Sequence, residues 1–172
     1  MGNTEHLEIG KLINEKTLQN CKIIKDKACG ENQRLPLFCS DIKSRMTEYC
    51  NVDILILFRQ KIKVIIEIDV SDIKPTQICG KFLTAALSTH YIHGSQKFEM
   101  ADSVLFIQIV SMKKLKEETS KSEQFINIEK SIQTVIPLEK SNITKYQLLQ
   151  FEENYKRIEK SLINTINNHL NS

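Results

Sequence analysis

Glycine and proline are scarce in this chain, at 5 and 3 of 172 residues. That scarcity argues against long disordered linkers. No apolar run approaches the roughly 18 residues of a membrane span, so no membrane partner is expected. The polar N-terminus lacks the apolar segment of a secretory leader. The opening MGNTEH resembles a myristoylation start, but His6 stands where Ser or Thr is required. No Cys-x-x-Cys pair exists, and the five cysteines (Cys21, Cys29, Cys39, Cys50, Cys79) are an odd number. Neither a zinc site nor a disulfide framework is expected, and free thiols in a reducing cytoplasm are the simplest reading. A phosphate-binding G-x-x-x-x-G-K-[ST] loop, a G-x-G-x-x-G turn and a G-x-S-x-G elbow are all missing, which removes support for nucleotide-dependent and serine-hydrolase chemistry.

What is present fits one soluble domain over 1–172 with a sizeable core. Hydrophobic residues make up 41% and charged residues 26%, and 24 basic against 21 acidic side chains give a net charge of +3. This balance permits a nucleic-acid partner without demanding one. The periodicity predicts a helix over 5–26, a short strand within 34–40 that Pro36 confines to a sheet edge or to a strand start, and an ambiguous segment over 40–50. Strands are expected at 52–58 and 62–70, then a helix from about Lys74 to His90 opened by Pro75, and a strand at 102–110. Gly80 in that helix suggests a close packing contact. Segment 122–135 reads as a helix or a mixed segment. Residues 145–170 read as one long amphipathic helix with a stripe of Phe151, Tyr155, Ile158, Leu162, Ile166 and Leu170. The expected architecture is α/β: a mixed sheet of four or five strands flanked by helices, with a core over about 5–110 and a helical part over about 121–172.

The stretch VDILILFRQKIKVIIEIDVSD, residues 52–72, poses the functional question. Its two apolar runs form a hairpin, yet they carry Asp53, Glu67 and Asp69. A buried carboxylate is costly unless it is paired, hydrogen-bonded or bound to a cation. Glu67 and Asp69 are two apart on a strand and share a face. A register in which Phe58 faces Ile62 across Arg59-Gln60-Lys61 sets Asp53 opposite Glu67. A two-residue turn would send Asp53 to the other face unless a bulge intervened. Arg59-Gln60-Lys61 holds no Gly or Asn, so a tight primed turn is not signalled. Three convergent carboxylates would form a hard oxygen site suited to Mg²⁺ or Mn²⁺ and to phosphoryl chemistry.

The pattern D-x13-E-x-D, set in a helix–strand–strand–strand–helix–strand order, resembles the PD-(D/E)XK nuclease superfamily, the restriction-endonuclease-like fold. The resemblance covers roughly residues 34–110 with the first helix ahead of them. It implies a metal-dependent DNA endonuclease in which Asp53 and Glu67 bind metal. Asp69 stands where the family has lysine, and Val52 where it has proline. The resemblance therefore implies a variant in which Asp69 binds metal or activates water. A lysine from the following helix, Lys74 or Lys81, would then stabilise charge, helped by Gln77. Glu8 or Glu15 of the first helix are candidates for a further acid. The implied role is that of a small type II restriction enzyme, cytoplasmic and working on DNA. A homodimer through the last helix would suit a palindromic site. The alternative is a catalytically inactive DNA-binding or protein-interaction module on the same fold. Lys43, Arg45, Lys97, Lys113, Lys114 and Lys116 are candidates for a phosphate-binding face, though scattered cations are more often simply solvated. His90 and His93 lack an evident third ligand and read as helix-end residues rather than a metal pair.

Overall fold

A computed structural model describes residues 3–14, 17–71, 73–113, 119–152 and 154–172. In chain order the elements are α1 (Asn3–Leu12), β1 (Lys22–Lys25), β2 (Pro36–Phe38), β3 (Glu48–Asn51), β4 (Ile54–Phe58), β5 (Lys61–Asp69) and α2 (Pro75–Ala86). They continue with β6 (His90–His93), β7 (Gln96–Ser111), α3 (Thr119–Val135), β8 (Ile143–Phe151) and α4 (Lys156–Leu170). The fold is mixed α/β, as expected, but the described residues form eight strands rather than about four or five. No described helix is long and apolar enough to cross a membrane.

Strands β1, β4 and β5 run antiparallel in that order, and β7 and β8 follow parallel to β5. Helix α2 lies between β5 and β7 in the chain and α3 between β7 and β8, as parallel neighbours require. The long strand β7 serves two partners on one edge. Residues 96–99 pair with β6, and 104–111 pair with β8. Strand β6 continues through β2 to β3, which ends the sheet.

The sheet separates two cores. On one side Leu55, Ile65, Phe106 and Tyr146 pack with Ile78 and Phe82 of α2 and Phe125 of α3. On the other, Ile54, Ile66, Ile107 and Leu149 pack with Ile9 of α1 and with Leu162 and Ile166 of α4. Full burial of each such aliphatic side chain contributes about 1.5–3 kcal/mol. Helix α1 approaches closely at Gly10, where a Cβ would lie 2.6 Å from the Cys29 carbonyl oxygen.

Several boundaries correct the sequence expectations. The first helix ends at Leu12, and 22–25 form the first core strand. Leu18, Cys21 and Ile24 had extended the helical spacing, and a run as short as KIIK has no periodicity to oppose it. The 34–40 segment is therefore not the first core strand but β2 of the side extension, with Pro36 at its start. The 145–170 helix divides into strand β8 and helix α4; the helical stripe holds only from Phe151 onward, and ITKYQLLQF pairs with β7 instead. Residues 122–135 lie in α3. His90 and His93 bound strand β6 rather than ending a helix, since α2 stops at Ala86. Gly80 has open space around it, so it marks no close contact. Ile158, Leu162, Ile166 and Leu170 are buried in the chain's own core, so this stripe is consumed within the fold. Glu15, Lys114 and Lys116 lie outside the described residues.

Candidate functional site

The hairpin β4–β5 begins with a two-residue turn, Arg59-Gln60, in which Phe58 pairs with Lys61. Both turn residues have positive φ, +51° and +64°. This left-handed pair is what a primed hairpin turn needs, and here it forms without Gly or Asn. Arg59 stacks its guanidinium over the Phe58 ring at 5.2 Å. A turn of this length alone would point Asp53 away from Glu67. The ladder, however, shifts between Ile56 and Leu57, with Lys63 skipped on β5. Beyond that bulge Ile56 pairs with Val64, Leu55 with Ile65 and Ile54 with Ile66. Asp53, just before Ile54, is thereby set at the level of Glu67. The three-residue turn of the sequence reading is replaced by a shorter turn plus a bulge, with the same outcome at the site.

Asp53 is fixed at three points. Its N–H donates to the Ile66 carbonyl at 3.2 Å, its carbonyl accepts from the Asp26 N–H at 2.8 Å, and its Oδ2 accepts from the Ile68 N–H at 2.6 Å. Burial raises its carboxyl above the usual range, and the Ile68 N–H and the charge of His6 oppose that rise. His6 reaches the same strand from α1, its Nε2 lying 2.8 Å from the Ile68 carbonyl.

Glu67 is 3% exposed. Burial, followed by the negative charge of Asp53, pushes it up to about 8. Lys81, on the second turn of α2, donates to Glu67 Oε2 at 3.1 Å and to Asp69 Oδ1 at 2.7 Å. Burial draws the Lys81 ammonium down, but Glu67 and Asp69 outweigh it and hold it charged well above the ordinary lysine value. Helix α2 aims this lysine because its first turn is fixed. Pro75 takes the first helical position, and the Gln77 side chain accepts the Lys74 N–H at 2.8 Å. Gln77 is thus a cap rather than a site group. Lys74 itself is exposed at that cap and is not brought to the carboxylates. Glu8 is likewise engaged elsewhere, pairing with Lys11 and accepting from the Tyr155 hydroxyl.

Each of the three carboxylates has one oxygen engaged by a donor. The others, Asp53 Oδ1, Glu67 Oε1 and Asp69 Oδ2, make no hydrogen bond among the described residues, and Asp69 Oδ2 is fully buried. Free carboxylate oxygens are the donors that Mg²⁺ and Mn²⁺ take. As they stand, no three His, Cys, Asp or Glu groups among the described residues are arranged to enclose an ion. Mg²⁺ ordinarily uses one or two carboxylates plus water and substrate phosphate, so the pair Asp53 and Glu67 fits the ion without a closed cage.

Two further groups at this site escape the motif. Gln108 is Glu67's partner in the parallel ladder, and paired residues share a face. It is fully buried, and its Oε1 accepts from the Tyr146 hydroxyl at 2.6 Å while its Nε2 has no partner among the described residues. The Cys50 thiol, on β3, is pushed up to about 11 by burial and then by Glu67. A glutamine inside an otherwise apolar strand, VLFIQIV, was the sequence signal for the first. Cys50 carried none. No family model, no curated protein and no solved structure matches this chain.

Proposed function

We propose that this protein is a metal-dependent DNA endonuclease of restriction-endonuclease-like fold, with its centre at Asp53, Glu67, Asp69 and Lys81. The observation that carries this reading is the contact of Lys81 with both Glu67 and Asp69. It supplies, from α2, the cation that the Asp69 position lacks. The element order α1–β1–β4–β5–α2–β7, with β7 parallel to β5, supports the same reading.

A divalent cation, when bound by Asp53 and Glu67, supplies Lewis-acid charge to the scissile phosphate and the attacking water. Asp53 is oriented for that task by the Ile68 N–H. Glu67 is kept from water by the sheet and α2. Lys81 sits where it can offset charge on the phosphate oxygens. Asp69 holds Lys81 in place through Oδ1. A type II restriction enzyme remains the specific role that the small size suggests. A second copy would have to meet a surface other than the buried stripe of α4.

The second reading is an inactive binding module on this fold. The Lys81 bridge favours it in one respect, because it offsets one of the two negative charges of Glu67 and Asp69 without a metal. Plasmid and oligonucleotide cleavage in Mg²⁺ and Mn²⁺, beside Asp53→Ala and Glu67→Gln, separates the two. The nuclease reading expects discrete cutting by wild type and at least a hundredfold loss in each variant, with Mn²⁺ binding weakened in both. Absence of both cutting and Mn²⁺ binding in the wild type would leave the binding module.

A further inference from the structure

The β2–β3 hairpin belongs to none of the five core strands, yet it ends at the site. Asn51 closes β3 two residues before Asp53, and the Cys50 thiol feels the charges of Glu67 and Lys81. From Cys50 the strand leads back to the hairpin tip, residues 39–47. Strand β3 accounts for 48–50 of this path, and the turn at 44–47 closes on itself through the Thr47 and Glu48 N–H groups, both of which donate to the Ser44 carbonyl.

The tip has an unusual surface. Met46 is 90% exposed and Ile42 63% exposed. Lys43 and Arg45, exposed beside them, form no ion pair among the described residues. This surface is held in shape. Ser44 and Thr47 bond each other through backbone and hydroxyls, with Oγ to Oγ1 at 3.0 Å, and Lys97 ties Asp41 to β7 at 3.1 Å. Below the tip, a cleft of about 330 Å³ runs along the open edge of β3 and is lined by Arg34, Arg45, Glu48, Tyr49, Cys50 and Asn51; Arg34 is paired with Glu48 at 2.8 Å, which leaves Arg45 as its unpaired cation among the described residues. Isolated exposed apolar residues need no explanation. Two such residues flanked by unpaired cations on a fixed projection beside a phosphodiesterase centre do call for a partner. Cations match phosphates, and Ile and Met are side chains that wedge against base steps.

We propose that the β2–β3 hairpin is the duplex-DNA contact element of this protein. Lys43 and Arg45 take backbone phosphates beside the cleaved one, and Ile42 and Met46 press against the bases. The inference rests on the reading of the chain as a DNA-acting protein.

The test measures binding of the full chain to a pool of random-sequence duplexes containing 2-aminopurine, across a salt series without divalent cation. Lys43→Ala/Arg45→Ala is expected to weaken binding at least tenfold at 0.1 M salt and to reduce the slope of log K against log salt by about two. Ile42→Ala/Met46→Ala is expected to keep the slope, weaken binding about tenfold and abolish the 2-aminopurine fluorescence rise that marks unstacking. Both variants should melt at the wild-type temperature, because all four side chains are exposed. If the wild type binds and cuts DNA while both variants match it, the hairpin inference fails and the nuclease reading stands. If the wild type binds no duplex, the inference falls together with the DNA reading.

Discussion

The two faces of the central sheet come from alternate residues of the same strands, and they differ in kind. Toward α1 and α4, strand β5 presents Val64, Ile66 and Ile68, all within an apolar cluster. Toward α2 and α3 it presents Ile65, then Glu67 and Asp69, beside Gln108 of β7 and Lys81 of α2. A sheet built only to be stable would bury hydrocarbon on both sides. Replacing a buried ion pair by well-packed apolar residues is often neutral or stabilising. The polar face therefore carries a cost that the apolar face does not, and functional sites are where such costs are retained.

Adjacent substitutions break this comparison most directly. Ile66→Ala should lower unfolding free energy by about 3 kcal/mol through lost burial and a residual cavity, and leave Mn²⁺ affinity unchanged. Glu67→Gln, one residue away, should do the reverse: unchanged or higher stability in denaturant titration, with metal binding and cutting lost. If Glu67→Gln instead destabilises as much as Ile66→Ala, the polar face is structural.

The pH dependence sharpens the contrast further. Glu67 titrates near 8 in the fold and near 4.5 when unfolded. The folded state then binds more protons between those values, so stability is full below the lower one and is lost as pH rises through the upper one. His169, which burial holds near 4, tilts the other way below about pH 6.5. Between pH 6.5 and 8 the wild type should lose stability with a slope of up to about 1 kcal/mol per pH unit. The slope should be absent in Glu67→Gln, and Mn²⁺ should oppose it in the wild type alone. Thermal melts at three pH values measure it.

The smallest effects test the local backbone away from either face. Gln60 at φ +64° pays a strain that glycine avoids, and Gly80 lies in open space on a helix interior. Gln60→Gly and Gly80→Ala should each raise stability by about 0.5–1 kcal/mol, read from denaturant midpoints.

The site was more legible in the sequence than the fold around it. Glu67-x-Asp69 on one face follows from strand geometry alone, and Lys81 was one of two lysines on the adjacent helix. Choosing it over Lys74 required the pitch and cap of α2, which the spacing of two lysines does not encode. The strands at 54–58 and 61–69 stood out because Ile and Val dominate them. Strand β1 is four residues long and follows a helix-like pattern, so local signals ran the wrong way. Strand β8 was hidden because Phe151, its last residue, stands four before Tyr155 and so joins the helical stripe of the segment that follows, and only pairing with β7 separates the two. Gln108 was visible as an anomaly, but its meaning depends on register with Glu67, a relation between distant segments.

The skipped residue Lys63 has an evolutionary corollary. The pairs on either side of it, Leu57 with Ile62 and Ile56 with Val64, become consecutive if Lys63 is deleted. Ile62 and Val64 already lie on opposite faces, as adjacent strand residues must. A descendant of this chain could therefore lose Lys63 and keep Asp53 level with Glu67 behind the same turn. A gap of one residue at this position should be the length change that the hairpin tolerates most readily.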